Sequence, residues 1–140
     1  MDKWPKQILA EKEHVETALN NLNTAMARKE KTVIELSAIA TFIHNVYNGI
    51  ENIIKQVLSL KHIDIPKSAM WHKDLLNIAK SQGVISEKLS DRLFEYLTFR
   101  HFFVHAYGFM LEESPLMDLA DNIPNVWEQF LSETERFVNK

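Results

Sequence analysis

Apolar residues recur along the chain at spacings of three and four, the period of an amphipathic α-helix, and no segment alternates convincingly as a β-strand does. The clearest case is the helix predicted from about Thr32 to Leu60, whose seam is Ile39, Ile43, Val46, Ile50, Ile53, Val57 and Leu60. A seam of this near-heptad period is typical of a helix that packs against its neighbours at a shallow angle. Gly49 lies on this helix, and close approach of another backbone, for instance at a dimer seam, would explain it.

The same period predicts four other helices, separated by polar or turn-forming residues: about Lys6 to Arg28, Ser68 to Ser81, Ser86 to Tyr107 and Pro115 to Val138. Thr32 and Glu35 resemble a capping box at the start of the second helix. Gly83 closes the short third helix, and Pro124 should kink the last helix or divide it in two. We therefore predict an all-α fold, an antiparallel bundle of four main helices plus a short one, in a single domain over residues 1–140.

Composition narrows the possible functions. A chain of 140 residues can bury a core without disulfides or metal, and the absence of cysteine excludes a thiolate metal site or a cysteine nucleophile. The net charge of -3 argues against a protein that coats nucleic acid in general. Residues 1–110 hold 14 Lys/Arg against 12 Asp/Glu, and residues 111–140 hold 2 against 7, so a polyanion would meet the first part. No signal peptide or membrane-length apolar run is present, which favours a cytoplasmic protein.

The candidate chemistry lies at the end of the fourth predicted helix, where an arginine, two histidines and a tyrosine fall within eight residues: Arg100, His101, His105 and Tyr107. Arginine can grip a phosphate with two hydrogen bonds, and histidine can move a proton near neutral pH. Arg100 and Tyr107 continue an apolar stripe formed by Leu89, Leu93, Tyr96 and Phe103. Arg100 therefore needs either an internal carboxylate, such as Glu51 or Glu95, or a position at the border of a cleft.

The geometry of an ideal helix separates these groups. His105 follows Arg100 by five residues, which is about 140° around an α-helix, so the two share a face only if the helix end is distorted or a dimer cleft unites them. His101 and His105 do share a face, a spacing that can ligate zinc, but the sequence implies no third ligand and we predict no metal site. Of the other histidines, His44 is interpreted as a packing residue and His72 as an interface or capping residue.

No glycine-rich phosphate loop, serine–histidine–acid order or paired-carboxylate motif is present. A set of arginine, histidine and hydroxyl groups suits metal-independent cleavage of RNA. In that reaction a base takes the proton of the 2′-hydroxyl, which attacks the adjacent phosphate while a cation stabilises the transition state.

At this point the chain resembles a known family. Arg100-x4-His105, at the end of the penultimate long helix of a small all-α chain, is similar to the Arg-x(4–6)-His motif of HEPN-domain ribonucleases. His105-Ala106-Tyr107 resembles the His-x-Tyr ending of HepT-like toxins of HEPN–MNT toxin–antitoxin pairs. Residues 42–52 and 71–76 are also similar to that group, so the resemblance spans most of the chain.

The resemblance implies a HEPN-like bundle that forms a homodimer and acts as a metal-independent endoribonuclease without a cofactor. It implies that Arg100 binds and stabilises the scissile phosphate and that His105 transfers a proton, with His101 and Glu51 as candidate supporting residues. It also implies a minimal nucleotidyltransferase antitoxin as partner, which in this family can add AMP to the tyrosine that is Tyr107 here. The family often has Asn or Asp directly after the arginine, where this chain has His101.

Two alternatives stay open. HEPN-like domains also serve as non-catalytic nucleotide-binding or protein-interaction modules, and a fold by itself does not establish catalysis. The acidic balance and His101 favour that alternative. In the second alternative, the protein is a structural bundle whose Arg100 is buried in an ion pair with a carboxylate.

Overall fold

Helices account for all the regular structure in the computed structural model, which describes residues 4–107 and 112–139, with the backbone alone at residues 106 and 107. In chain order they are α1 (Lys6–Met26), α2 (Val33–Leu60), α3 (Trp71–Ser81), α4 (Glu87–Phe102), a π-helix (Phe103–Tyr107) and α5 (Glu113–Val138). The described residues contain no β-strand, and the predicted all-α class is confirmed. No helix among them is long and apolar enough to cross a membrane.

The first two helices form an antiparallel pair. Gly49 of α2 faces Val15 of α1, and three residues further along α2 the Asn52 side chain donates a hydrogen bond of 3.4 Å to Glu11, which lies earlier in α1. The turn between them ends in the predicted capping box: Thr32 accepts from the backbone N–H of Ile34 and forms the reciprocal bond with Glu35.

The α2 seam forms the centre of the core, as its spacing predicts. Six of its seven apolar residues are fully buried, whereas Leu60 is 48% exposed. The antiparallel register explains this exception, because the last turn of α2 extends past the beginning of α1 at Lys6. The close neighbour of Gly49 is Val15 of the same chain, so this glycine needs no dimer seam.

The later helices close the bundle over α2. Helix α3 begins at Trp71, later than the predicted Ser68, because the Ser68 hydroxyl accepts from the Met70 N–H and closes a turn ahead of the helix. Gly83 adopts a positive φ of 81° after α3, as a helix-ending glycine does. Helices α4 and α5 run antiparallel, since Ser86 bonds to Glu133 and Tyr96 donates to the Leu119 carbonyl.

Helix α5 runs from Glu113 to Val138 as one element with Pro124 inside it, so of the two outcomes predicted for Pro124, a kink or a division, the division is excluded. Pro124 is exposed, while the neighbouring Ile123 and Val126 are buried against the rest of the bundle. Packing of that apolar face compensates for the backbone hydrogen bond that proline cannot donate.

Candidate functional site

The Arg-x4-His segment spans a change of helix type. Arg100 and His101 lie in the last turn of α4, and His105 lies in the π-helix that follows directly. Arg100 is half-buried, as its place on the apolar stripe predicts, whereas His101 and His105 are exposed. The rings of the two histidines lie side by side, with their centroids 4.3 Å apart, so the shared face predicted for them is confirmed.

Arg100 is anchored by a side chain of α2 that sequence reasoning did not single out. Its Nε donates a hydrogen bond of 3.3 Å to Oδ1 of Asn48. The Asn48 amide nitrogen in turn lies 3.0 Å from Nε2 of His44, one turn earlier on the same helix. The His44 ring also packs against Phe103 of the π-helix, with centroids 5.1 Å apart. This chain of contacts, Arg100–Asn48–His44, connects α2 to the end of α4.

The direction of the hydrogen bonds fixes the state of His44. A guanidinium only donates, so Asn48 must accept with its oxygen and donate with its nitrogen. His44 Nε2 must then be an acceptor, which requires the neutral ring with its hydrogen on Nδ1. Burial lowers the pKa of His44, and the charge of Arg100 lowers it further, although Glu51 opposes them. The electrostatics therefore favour the same neutral state that the hydrogen bonds require.

Glu51 is buried, but its partner is not the arginine. Both carboxylate oxygens lie within 3.0 Å of Nδ1 of His72, on α3. Among the described residues no carboxylate lies within ion-pair distance of Arg100, so neither of the two predicted internal partners, Glu51 and Glu95, neutralises it. Burial and the Glu51 carboxylate together raise the pKa of Tyr47, which stays a neutral phenol beside this pair. Glu51 thus ties α2 to α3 next to the arginine.

The structure explains in part how Arg100 and His105 can approach each other. A π-turn holds more residues than an α-turn, so the helix winds less per residue between Phe103 and Tyr107 than an ideal α-helix does. The distorted helix end that the spacing required is therefore present. Within the described residues no hydrogen bond joins Arg100 to His105, whose nearest aromatic neighbour is His101.

Two other predicted features have different outcomes. The backbone of Tyr107 ends the π-helix, but its side chain lies outside the described residues, and the predicted modification site stays a prediction. His101 and His105 have no third histidine or carboxylate placed with them among residues 4–107 and 112–139 as a metal-ligand group.

Sequence reasoning missed Asn48 and gave His44 and His72 only packing, interface or capping roles. The available signal was a second stripe on α2: His44, Asn48 and Glu51 follow one another at spacings of four and three. Such a polar stripe within a buried helix indicates a polar surface between helices. Its partner could be identified only once α4 was placed beside it.

A half-buried arginine and two exposed histidines at the end of an inner helix of an all-helical bundle are consistent with the HEPN-like class of domain. The family model of HepT-like proteins matches residues 38–140, and the chain belongs to this family. The match covers α2 from Ala38 onward and everything after it, including Asn48, Arg100 and His105. No curated protein and no solved structure matches the chain.

Proposed function

We propose that this chain is a metal-independent endoribonuclease of the toxin type, acting through Arg100 and His105. Family membership supports the class, and one observation carries the catalytic assignment. Arg100 is half-buried yet held by the neutral oxygen of Asn48, with no carboxylate paired to it in the described part of the chain. An arginine held in this way keeps its positive charge for an incoming phosphate.

The reaction follows from the two groups. His105 takes the proton of a ribose 2′-hydroxyl, and the resulting oxygen attacks the neighbouring phosphorus. The new 2′-O–P bond forms as the bond from phosphorus to the 5′-oxygen breaks, and that leaving oxygen receives a proton from solvent, to which His105 returns the proton it took. Arg100 stabilises the charge that develops on the phosphate oxygens. His101, which touches the His105 ring, is positioned to exchange protons with it or to bind the substrate.

Dimerisation belongs to the same proposal. His105 is exposed at the end of the bundle rather than enclosed beside Arg100, and a second copy of the chain would convert this exposed end into a cleft. Two copies of Arg100 would also create a positive patch that the net charge of -3 conceals.

Control of the activity is assigned to a nucleotidyltransferase antitoxin, as is typical of HEPN–MNT pairs. Addition of AMP to Tyr107 would place a bulky anion seven residues after Arg100, at the end of the same stripe. The added phosphate would compete with RNA for the guanidinium.

Growth of cells that express the chain tests the catalytic assignment. We expect the wild type to arrest growth, and Arg100→Ala and His105→Ala each to abolish the arrest while the purified variants keep the helical circular dichroism of the wild type. Arg92→Ala, which removes an arginine two turns earlier on α4, and His62→Asn, which keeps a residue tolerant of the positive φ at that position, are matched controls and should stay toxic. Equal toxicity of the wild type and both site variants would exclude the proposed catalytic pair.

A test on purified RNA checks the chemistry. Cleavage should persist in excess chelator and leave fragments that end in a cyclic phosphate. Complete loss of cleavage in chelator would instead favour His101 and His105 as metal ligands.

The second candidate is a non-catalytic nucleotide-binding or protein-interaction module. The net charge of -3 and the histidine in place of Asn or Asp at position 101 favour it. A purified protein whose melting temperature rises with nucleotide, but which never degrades RNA at high protein concentration, would establish this function and exclude the first.

A further inference from the structure

The Arg100–Asn48–His44 chain gives α2 a role beyond packing. We propose that Asn48 and His44 are positioning residues: they hold the Arg100 guanidinium in the orientation that binds the RNA phosphate, and they hold it only while His44 is unprotonated. This inference rests on the proposed function for its substrate, but the geometry that carries it is independent of catalysis.

The first step is the point at which Arg100 is anchored. Asn48 accepts from Nε, at 3.3 Å. That bond leaves the two terminal amino groups of the guanidinium free of Asn48, and together they can bind two oxygens of one phosphate. Because Arg100 is also half-buried, the bond at Nε limits rotation of the remaining exposed end. An arginine fixed in this way loses little side-chain entropy when the phosphate arrives.

The second step is the chemical nature of the anchor. An amide oxygen orients the guanidinium without cancelling its charge, whereas a carboxylate at the same position would form an ion pair with Arg100 and compete with the phosphate. The nearby Glu51 carboxylate does not bind Arg100, because it is bound to His72 at 2.9 Å. Asn48 and its acidic analogue are nearly identical in size, so exchanging them introduces a charge and removes the amide donor to His44 without altering packing.

The third step concerns His44, which orients Asn48. Neutral Nε2 accepts from the Asn48 amide nitrogen at 3.0 Å and thereby keeps the amide oxygen turned towards Arg100. A protonated His44 has a donor at Nε2, and Asn48 can satisfy it only by turning its oxygen away from Arg100. The amide nitrogen would then face the guanidinium, donor against donor, and the anchor would be lost.

Two charged groups act on His44. Arg100 faces it from α4 and disfavours its protonation, while Glu51, on α2 itself, favours it. Phe103 of the π-helix covers the ring without contributing charge. Protonation of His44 would turn the Asn48 amide and release the guanidinium, so we expect the positioning of Arg100 to be lost as pH falls, although the added charge itself attracts the phosphate.

Steady-state cleavage of a short RNA by the full chain tests the anchor. We expect Asn48→Ala to lower kcat/KM by about 10- to 100-fold, the effect of removing one hydrogen bond to a charged group. Asn48→Asp should lower kcat/KM as well, because its carboxylate pairs with Arg100 and competes with the phosphate. Asn48→Asp should do so with an unchanged or higher melting temperature, because it gains an ion pair. Asn45→Ala, an exposed asparagine one turn earlier on α2, is the matched control and should cleave as the wild type does.

Two substitutions at His44 separate positioning from packing. His44→Gln keeps an acceptor for the Asn48 amide, and His44→Phe keeps a ring against Phe103 but offers no acceptor. We expect the glutamine variant to retain cleavage and to lose part of the fall in activity at acid pH, while the phenylalanine variant is impaired at every pH. Because His101 and His105 are present in all these proteins, the difference between the wild type and His44→Gln isolates His44.

An NMR measurement without RNA tests the positioning of Arg100 separately from the nuclease activity. The Nε–H of Arg100 should give a slowly exchanging NMR signal in the wild type and in His44→Gln, and this signal should be lost in Asn48→Ala and His44→Phe. A protein that shows this pattern but cleaves no RNA would refute the nuclease and support the positioning. Unchanged Arg100 signals and unchanged kcat/KM in Asn48→Ala would overturn the positioning, as would equal impairment by glutamine and phenylalanine at position 44.

Discussion

Gly49 of α2 lies so close to Val15 of α1 that a Cβ atom at position 49 would overlap the Val15 Cγ2 methyl group. Glycine normally weakens the middle of a helix by about 1 kcal/mol relative to alanine. Here that cost is offset by the closer approach of α1 and α2, since Val15 and Ile50 are almost fully buried at this contact. The glycine sets the distance between α1 and α2.

Gly49→Ala should therefore destabilise the protein, although alanine is the better helix former. We expect a loss of about 1–3 kcal/mol in the free energy of unfolding, measured with urea, because the β-branched Val15 cannot rotate its methyl group away without clashing elsewhere. Val15→Ala should cost stability by itself but relieve the overlap, so the double variant should be more stable than the sum of the two single changes. Strict additivity would contradict this account.

Removal of His72 should leave a buried charge without its partner. Glu51 is 3% exposed, and both of its oxygens face His72. We expect His72→Ala to lower the free energy of unfolding by about 1–3 kcal/mol, the cost of an unsatisfied buried polar group. On a Glu51→Gln background the same change should cost less, since no carboxylate is left behind. An equal cost on both backgrounds would show that His72 acts through packing alone.

The capping box at the start of α2 should make stability depend on acid pH. The Thr32 side chain, and then its backbone N–H, lower the pKa of Glu35 from its ordinary 4.5. A carboxyl group whose pKa falls on folding contributes stability that is present above 4.5 and is lost as pH falls through the folded value. In Thr32→Ala the pKa of Glu35, followed by carbon NMR, should return towards 4.5, whereas Thr32→Ser should leave it low. A Glu35 pKa that is the same in the alanine variant would refute the assignment.

Pro124 offers a stabilising change. It lies inside α5, is exposed, and removes a backbone donor from a helix that is otherwise continuous. Pro124→Ala restores the hydrogen bond to the preceding turn and should raise the free energy of unfolding by about 1–3 kcal/mol. Asn125→Ala, at the exposed position beside it, is the control for a change of surface residue alone. A loss of stability in Pro124→Ala would mean that the packing of α5 depends on the proline.

Most of the fold could be predicted from the sequence, because the spacing of apolar residues in each helix indicates which face is buried. The α2 seam, the Thr32–Glu35 capping box and the turn at Gly83 are local patterns, and all three are present. The start of α3 differs from the predicted one because the Ser68 side chain bonds to the backbone ahead of the helix. The spacing within α2 predicts that Leu60 is buried, but its exposure depends on where α1 begins, which that spacing does not contain.

Only part of the candidate site could be predicted from the sequence. Arg100, His101 and His105 are adjacent in sequence, and chemistry identifies them directly. Asn48 lies 52 residues before Arg100 and joins it only because α2 and α4 pack at one register. The apolar neighbours of His44 predict a packing residue, and packing against Phe103 is indeed part of what it does. Its hydrogen bond to Asn48 is a tertiary consequence that no local pattern contains.

The π-helix after Arg100 affects how the length of this segment can change in related proteins. Where a turn holds one extra residue, the number of residues between two side chains no longer determines the angle between them. An insertion or deletion in this segment can be absorbed by gaining or losing the wide turn, without rotating the rest of the helix. Two chains that differ by one residue in this segment can thus keep the preceding part of the helix in the same orientation.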